Sequence, residues 1–506
     1  MSADPFFADS GLRRGRLGTA HLVFFTVAAS APLTVLGGGV TTTYAVTGNV
    51  GTAVSFVLLA AVLAVFAVGY AAMSRYVANA GAFYAYIANG LGRAGGVAGS
   101  AVALAAYNAI QIGLYGLLGY ILKDFMASKF DIDLAWWVWA LLAWVIVGLL
   151  GVLRIDLNAT VLAVLLGLEC VVVLIFDVIS FGHPAGGTVS FDGIMPGNLF
   201  TAGFGAVFAL GIAAFTGFES GAIYSEEVKD PRRTVARATY IAVAFTGLFY
   251  AFSAWSLSVL TGPENVAKAS AEAGPGVIFG ALAQYAGSAV ADIANVLFVT
   301  SVLAALLSFH NGVARYLFAL GRENVLPRFL GATSNRSGAP VAGSIVQSVL
   351  AVVVFMAFAV AGRDPLLDLF TWLSGSAAVG VVLLMTLTSA AVVGFFRGRS
   401  GPESLWQRLI APVLGTLLLG TVLVVMLVNF DALLAPDTAA YLKWLLPVIP
   451  VAAAVIGLVW GFALKSIRPE AYARIGRVAE EGLHEPGLHP APPEPERPHW
   501  TPAGHR

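Results

Sequence analysis

The chain has 506 residues, of which 58% are hydrophobic and only 11% are charged, and its formal net charge is zero. Soluble domains carry about a quarter charged residues, so this composition is that of an integral membrane protein. The zero net charge argues against a nucleic-acid-binding surface. The single cysteine, Cys170, excludes a disulfide framework and a thiolate metal site.

A helix needs about 20 apolar residues to cross a bilayer. Twelve stretches meet this requirement, which predicts an all-α integral membrane protein. In chain order the predicted spans are 20–46, 51–73, 95–122, 134–154, 157–181, 199–224, 235–261, 286–318, 341–361, 366–396, 409–430 and 443–465. The membrane domain is therefore predicted at 19–466, after a cytoplasmic N-terminus (1–18). The polar, Pro-rich tail (467–506) is predicted to be disordered.

Lys and Arg are distributed unevenly between the loops. With the N-terminus on the inner side, 23 of the 28 Lys and Arg residues fall on one side of the membrane. Cytoplasmic loops are the Lys/Arg-rich ones, so the pattern predicts that both termini face the cytoplasm. The excess of Arg over Lys and the Ala/Gly/Val-rich composition favour a bacterial plasma (inner) membrane.

Two predicted spans contain helix-breaking residues. The first reads "AASAPLTVLGGGVTTTYAV" (28–46) and the sixth reads "AAFTGFESGAIY" (213–224). A break inside lipid persists only where it is buried in protein or lines a cavity. Paired Gly- or Pro-interrupted spans at corresponding positions of two halves predict a transport site near the middle of the membrane. The alternative is that these glycines only allow close helix packing.

Such breaks suit a zwitterionic solute. The N-terminal ends of half-helices present free N–H groups, which suit a carboxylate, and unwound carbonyls suit an ammonium group. An amino acid carries one of each, so the two breaks together predict an amino acid or a related organic amine as the substrate.

Three motifs identify a family. The stretches "GFESGAIYSEEVKDPRR" (217–233), "SRYVANAGAFYAYIANGLGR" (74–93) and "HNGVARYLFALGRENVLP" (310–327) resemble the signatures of amino acid–polyamine–organocation (APC) superfamily permeases. The resemblance implies a leucine-transporter-type fold with discontinuous helices one and six. In that fold two inverted five-helix repeats (about 19–181 and 199–397) and two extra helices (409–465) work by alternating access.

The resemblance also implies site residues. Those expected around the substrate are Gly37, Gly38 and Gly39 at its carboxylate, and Phe215, Thr216 and Gly217 at its amino group. Phe215 is the expected gate. Arginine-specific members have a tryptophan where this chain has Ala213, which indicates a roomier or less cation-selective pocket.

Three ionisable residues inside the spans are candidates for proton coupling. Glu219 lies at the sixth-span break, where its alternative is a structural bond to freed N–H groups. Glu169 lies in the fifth span and has pairing with a neighbouring helix as its alternative. Some family members use a lysine in that span in place of sodium, and this chain has none there. His310 is either a proton switch or a hydrogen-bonded core histidine.

The third span carries a polar stripe that includes Tyr107 and Gln111, which faces either the central cavity or a neighbouring helix. In the tenth span, Ser374 is a weaker candidate. A sodium site would need hydroxyls near the first-span break, and Ser301 is expected to lie too far outward, so sodium is not favoured. Asp177 is expected near the outer surface, in contact with water.

These features predict a secondary active permease that takes up its substrate with protons. The alternatives are a substrate exchanger, an inorganic-ion carrier on the same fold and a transporter-derived sensor. A membrane-embedded enzyme would need a nucleophile–base pair or a metal constellation, and only scattered groups occur. The sequence therefore predicts no enzyme activity, no cofactor, no metal and no obligate protein partner.

Overall fold

A computed structural model describes residues 18–476, apart from 20–21, 24–26, 28–29, 78–82, 154–158, 202, 218–230, 335–338, 400 and 436–437. All regular secondary structure in these residues is helical. The α-helices are α1 Thr41–Thr47, α2 Thr52–Met73, α3 Phe83–Leu91, α4 Arg93–Phe130, α5 Trp136–Leu153, α6 Ala159–Gly182, α7 Phe204–Ala213, α8 Pro231–Thr261, α9 Val266–Ala273, α10 Gly276–Tyr285, α11 Ser288–Arg322, α12 Val341–Val360, α13 Thr371–Phe396, α14 Ala411–Val428, α15 Leu442–Ile467 and α16 Pro469–Arg474, with a further one-turn helix, Pro196–Leu199. Three π-helical segments, Thr34–Val40, Pro365–Phe370 and Trp406–Ile410, lead into α1, α13 and α14.

Ten helices in the described residues are long and apolar enough to cross a membrane. They overlap the predicted spans other than the first and the sixth. Large apolar side chains on their outer faces are exposed, including Val360 (86%), Val428 (73%) and Trp444 (74%). Such a surface would aggregate in water and is stable against lipid. The chain is a multi-pass membrane protein, and the total of twelve helices and the inverted repeat stay predictions.

The first span is interrupted at Ala31. This residue has a positive φ of 53°, a left-handed conformation that costs a non-glycine residue about 1–2 kcal/mol. Pro32 follows, and a proline disfavours the helical conformation in the residue before it and supplies no N–H. The break therefore lies at the Ala–Pro step, and the helix resumes at Pro32.

The three consecutive glycines after it, which together with Pro32 predicted the break, are helical. Gly37 and Gly38 lie in the π-helix Thr34–Val40. A Cβ on Gly37 would lie 2.9 Å from Phe298 Cζ, and one on Gly38 would lie 2.7 Å from Leu117 Cδ2. These two glycines therefore allow α11 and α4 to pack closely, which is the alternative that the sequence left open.

The second interruption follows α7 at the predicted position. Successive N–H groups of Ala214, Phe215 and Thr216 bond three residues back, at 3.2, 3.0 and 3.1 Å, so the end of the helix tightens into a turn. Gly217 then adopts a φ of 109°, which only glycine takes without strain. Glu219 lies outside the described residues.

The chain beyond α15 continues as packed structure. Helix α16 follows at Pro469–Arg474, and Ile475 is buried. The Gly476 N–H donates to the hydroxyl of Tyr84 on α3 at 3.2 Å. The Tyr84 hydroxyl in turn donates to Glu323 at the end of α11. Residues 468–476 therefore join the membrane domain, beyond the boundary of 467 predicted from composition.

Candidate functional site

A cavity lies where the two interrupted segments meet. Its water-accessible volume is about 50 Å³. The lining residues come from the first-span segment on both sides of its break, from α2, α4, α11, α7 and the turn after it, and from the junction of the π-helical segment Pro365–Phe370 with α13. They are Ser30, Thr34, Val35, Gly39, Phe56, Ile110, Leu114, Leu210, Ala213, Ala214, Thr216, Ala305, Phe309, Phe370 and Ser374. The two breaks thus open onto one shared space, as the paired interruptions predicted.

Four hydroxyl groups are the only side-chain polar groups in this described lining, and they divide into two pairs. The Ser30 hydroxyl contacts the Tyr250 hydroxyl at 2.5 Å, and the Thr34 hydroxyl contacts that of Ser301 at 3.0 Å. The hydroxyls of Thr216 and Ser374 are buried and have no hydrogen-bond partner among the described residues. A buried hydroxyl without a partner is costly, so these two groups are suited to a ligand.

The predicted substrate residues fall into different environments. Gly39, Ala213 and Thr216 line the cavity. An added Cβ on Gly39 would meet no atom within 4 Å, so this glycine leaves space open. Phe215 is 2% exposed and packs on Phe56, with ring centroids 6.3 Å apart, so its ring lies against a wall residue.

Glu169 joins the first-span break to α11. Its Oε2 accepts a hydrogen bond from Ser301 Oγ at 2.8 Å and another from the Leu33 N–H at 3.4 Å. Ser301 also contacts Thr34, which lines the cavity. Ser301 therefore lies beside the break, and the expectation that it would lie too far outward was wrong. The carboxylate is 5% exposed and is one hydroxyl away from the cavity wall.

His310 and Gln111 belong to a separate buried cluster. The Gln347 amide donates to Gln111 Oε1, which leaves Gln111 Nε2 to donate to His310 Nδ1 at 3.3 Å. His310 Nε2–H then donates to Ser344 Oγ at 2.6 Å. Both ring nitrogens are used without a charge, so this geometry favours the core-histidine alternative. Gly151 of α5 makes the space for the ring, since an added Cβ would lie 2.4 Å from Nε2.

Two other polar residues also have structural partners. Tyr107 packs against Phe309 and Tyr316, with centroid distances of 6.2 and 5.8 Å. Phe309 lines the cavity, so Tyr107 supports the wall. Asp177 was expected to contact water, but it is 1% exposed. Its carboxylate accepts a hydrogen bond from Ser253 at 3.1 Å.

The apolar wall was not predicted from the sequence. Phe56 occurs in an apolar span, and Leu114 and Phe309 lie beside the polar residues that the sequence singled out in their spans, so nothing marked these three as facing a cavity. Ser374 was only a weak candidate from the sequence. The packing of α13 shows that its hydroxyl is buried without a partner among the described residues.

Several known proteins are similar to this chain. Branched-chain amino acid permease BcaP of Lactococcus lactis is 25% identical over 399 residues, which cover 72% of this chain and 79% of that protein. The low-affinity putrescine importer PlaP of Escherichia coli is 26% identical over 142 residues, 28% of this chain and 30% of that protein. An uncharacterized transporter of Mycobacterium tuberculosis is 31% identical over 144 residues, and the match covers 27% of this chain and 31% of the transporter.

The fold also resembles a solved structure. A manganese transporter mutant (H236A) of Eremococcus coleocola matches with a TM-score of 0.52 and 11% identity, over 92% of this chain and 99% of that one. At this identity the likeness concerns the fold alone. The model of the family described as "Amino acid permease" matches residues 21–468, which is most of the chain. The protein belongs to the amino acid permease family.

Proposed function

We propose that this protein is a secondary active permease of the plasma (inner) membrane that imports amino acids or related organic amines together with protons. Both termini face the cytoplasm in this proposal, and transport requires no covalent chemistry. One observation carries the proposal. A cavity between the first-span break and the end of α7 lies one hydroxyl away from the buried carboxylate of Glu169. The names of the relatives, a branched-chain amino acid permease and a putrescine importer, support the same class of substrate.

Glu169 is the proposed coupling group, and its contacts suggest how protonation moves the helices. An ionised carboxylate holds each donor with about 1.5–3 kcal/mol, whereas a neutral acceptor holds it with about 0.5–1.5 kcal/mol. Protonation therefore weakens the links from Ser301 and from Leu33. The segment after the Ala31 break then becomes free to shift relative to α11.

Alternating access follows if substrate and proton favour the same conformation. A ligand shifts a conformational equilibrium only by its difference in affinity between the two states. In this scheme substrate binds between the two breaks while Glu169 takes up a proton. Phe215, packed on Phe56 at the wall, closes over the bound substrate. The cavity then opens to the cytoplasm.

The experiment is uptake by purified protein in proteoliposomes with an acidic exterior. Accumulation of an amino acid above its external concentration, abolished by a protonophore, supports the proposal. Glu219 is the second proton-coupling candidate, and Glu219→Gln is tested beside Glu169→Gln. The variant that loses gradient-driven accumulation but keeps exchange identifies the coupling residue. If the wild type never concentrates any amino acid or amine, the proposal fails.

The first alternative is a substrate exchanger, which would show counterflow but no net accumulation. An inorganic-ion carrier is the second alternative, because a manganese transporter shares the fold. The lining given above holds no carboxylate, imidazole or thioether, the side chains that bind such ions most often. This favours an organic substrate. If a sodium gradient drives uptake at constant pH, the coupling ion at Glu169 and its neighbouring hydroxyls is sodium and not a proton.

A further inference from the structure

We infer that the substrate is a neutral amino acid with an apolar, mainly aliphatic side chain, rather than a diamine or a basic amino acid. This inference rests on the proposed function and narrows it to one class of substrate. It follows from the chemistry of the described cavity lining, in which apolar side chains and two hydroxyls without a partner among the described residues are open to a ligand.

The two unpartnered hydroxyls define a small polar end. Thr216 lies on the turn after α7, and Ser374 lies in the first turn of α13. Both side chains are at least 98% buried. Each hydroxyl can donate to a carboxylate or accept from an ammonium group. Together with the backbone at the breaks, they serve the one pair of charges that every α-amino acid carries.

Away from these hydroxyls, part of the wall is an apolar patch on two adjacent helices. Ile110 and Leu114 are one turn apart on α4, and Ala305 and Phe309 are one turn apart on α11. Residues four apart share one face of a helix, so each pair presents one apolar face to the same cavity. The cavity volume of about 50 Å³ holds roughly three to five water-sized groups. The polar end lines the same small space, so the cavity favours a compact side chain.

A second positive charge has no partner on this patch. The amine of putrescine or the guanidinium of arginine would be buried among these residues without a counter-charge, which is strongly unfavourable. The nearest carboxylate in the described site, Glu169, already accepts hydrogen bonds from Ser301 and Leu33. A missing methylene group changes the preference for one substrate over another by about 10–200-fold. The preference for a neutral over a cationic side chain is expected to be larger, because the cation is buried without a counter-charge.

The test uses the wild-type protein in proteoliposomes. Uptake of radiolabelled L-leucine is measured in competition with unlabelled L-valine, L-arginine and putrescine. We expect L-valine to compete within about tenfold of L-leucine, and L-arginine and putrescine to be at least about 100-fold weaker. Competition by either cationic compound within about 100-fold of L-leucine overturns the inference.

The same experiment separates the two proposals. Each of the twenty amino acids and putrescine is also supplied in labelled form on its own, and if none of them accumulates the proposed function fails as a whole. If L-arginine or putrescine accumulates and L-leucine does not, the proposed function stands and the substrate class is wrong.

A matched pair of variants tests the polar end. Thr216→Val keeps the shape of the side chain and removes the hydroxyl, whereas Thr216→Ser keeps the hydroxyl. Loss of one hydrogen bond to a charged group weakens L-leucine binding by about tenfold or more in the first variant. The second variant is expected to bind like the wild type. Equal binding by both variants would remove Thr216 from the proposed site.

Discussion

Glu169→Gln is the substitution that tests coupling most directly. Glutamine has the size of glutamate, and its amide oxygen can take the place of Oε2, which already accepts from both Ser301 Oγ and the Leu33 N–H. Each bond falls from charge-assisted to neutral strength, a loss of about 1–1.5 kcal/mol. The variant should therefore fold with a stability loss of roughly 2–3 kcal/mol. It can no longer gain or lose a proton.

The effect on transport is expected to be much larger. One pH unit is worth 1.36 kcal/mol per proton, which is a tenfold concentration ratio when one proton enters with each substrate. Wild-type protein should therefore concentrate substrate up to about tenfold per pH unit. The Glu169→Gln variant should reach an internal-to-external concentration ratio of about one, which means no accumulation. Exchange of labelled for unlabelled substrate at equal pH should continue, because the cavity wall is unchanged.

The assay is uptake into proteoliposomes at imposed gradients of zero, one and two pH units, with exchange measured in the same preparation. Equal exchange rates in both proteins serve as the folding control. Accumulation by Glu169→Gln that still rises tenfold per pH unit would refute the reasoning and assign coupling to another group.

Three further predictions concern other parts of the molecule. Gly39→Val fills the open space at the cavity wall and should lower the ratio of leucine to alanine uptake by roughly tenfold, whereas Gly167→Val, on the lipid-exposed face of α6, should not change it. Gly151→Ala gains up to about 1 kcal/mol of helix propensity but overpacks the His310 ring by about 1–3 kcal/mol, so the thermal midpoint in detergent should fall; an unchanged midpoint contradicts this. Burial raises the pKa of Glu323 above its ordinary value, so the folded state binds this proton more tightly than the unfolded state does. The free energy of unfolding should therefore decrease as the pH rises from the ordinary pKa of glutamate through the raised pKa of Glu323. Glu323→Gln should flatten that decrease in a thermal-unfolding series from pH 4 to pH 8, and an identical slope in both proteins would contradict the assignment.

The sequence by itself determined the membrane architecture to a large extent. Ten of the twelve predicted spans coincide with long apolar helices, because bilayer thickness imposes a minimum apolar length that can be counted along the chain. Within the described residues, which leave out parts of both, the remaining two spans are those in which Pro and Gly predicted an interruption. The family motifs were likewise readable, since they are local in sequence, and the match to the amino acid permease model confirms them.

The tertiary structure alone decided what each residue near the interruptions does. Of the helix-breaking residues in the first span, the Ala31–Pro32 step makes the break, whereas Gly37 and Gly38 remain helical and allow α11 and α4 to approach closely. Glu169 and Ser301 are separated by 132 positions in the chain and meet only when α6 packs against α11. Gln111 and His310 face α12 and not the cavity, because the rotation of α4 and α11 about their axes places these side chains on that side. In spans that are apolar on every side, periodicity gives no direction, so only packing selects the face that meets the solute.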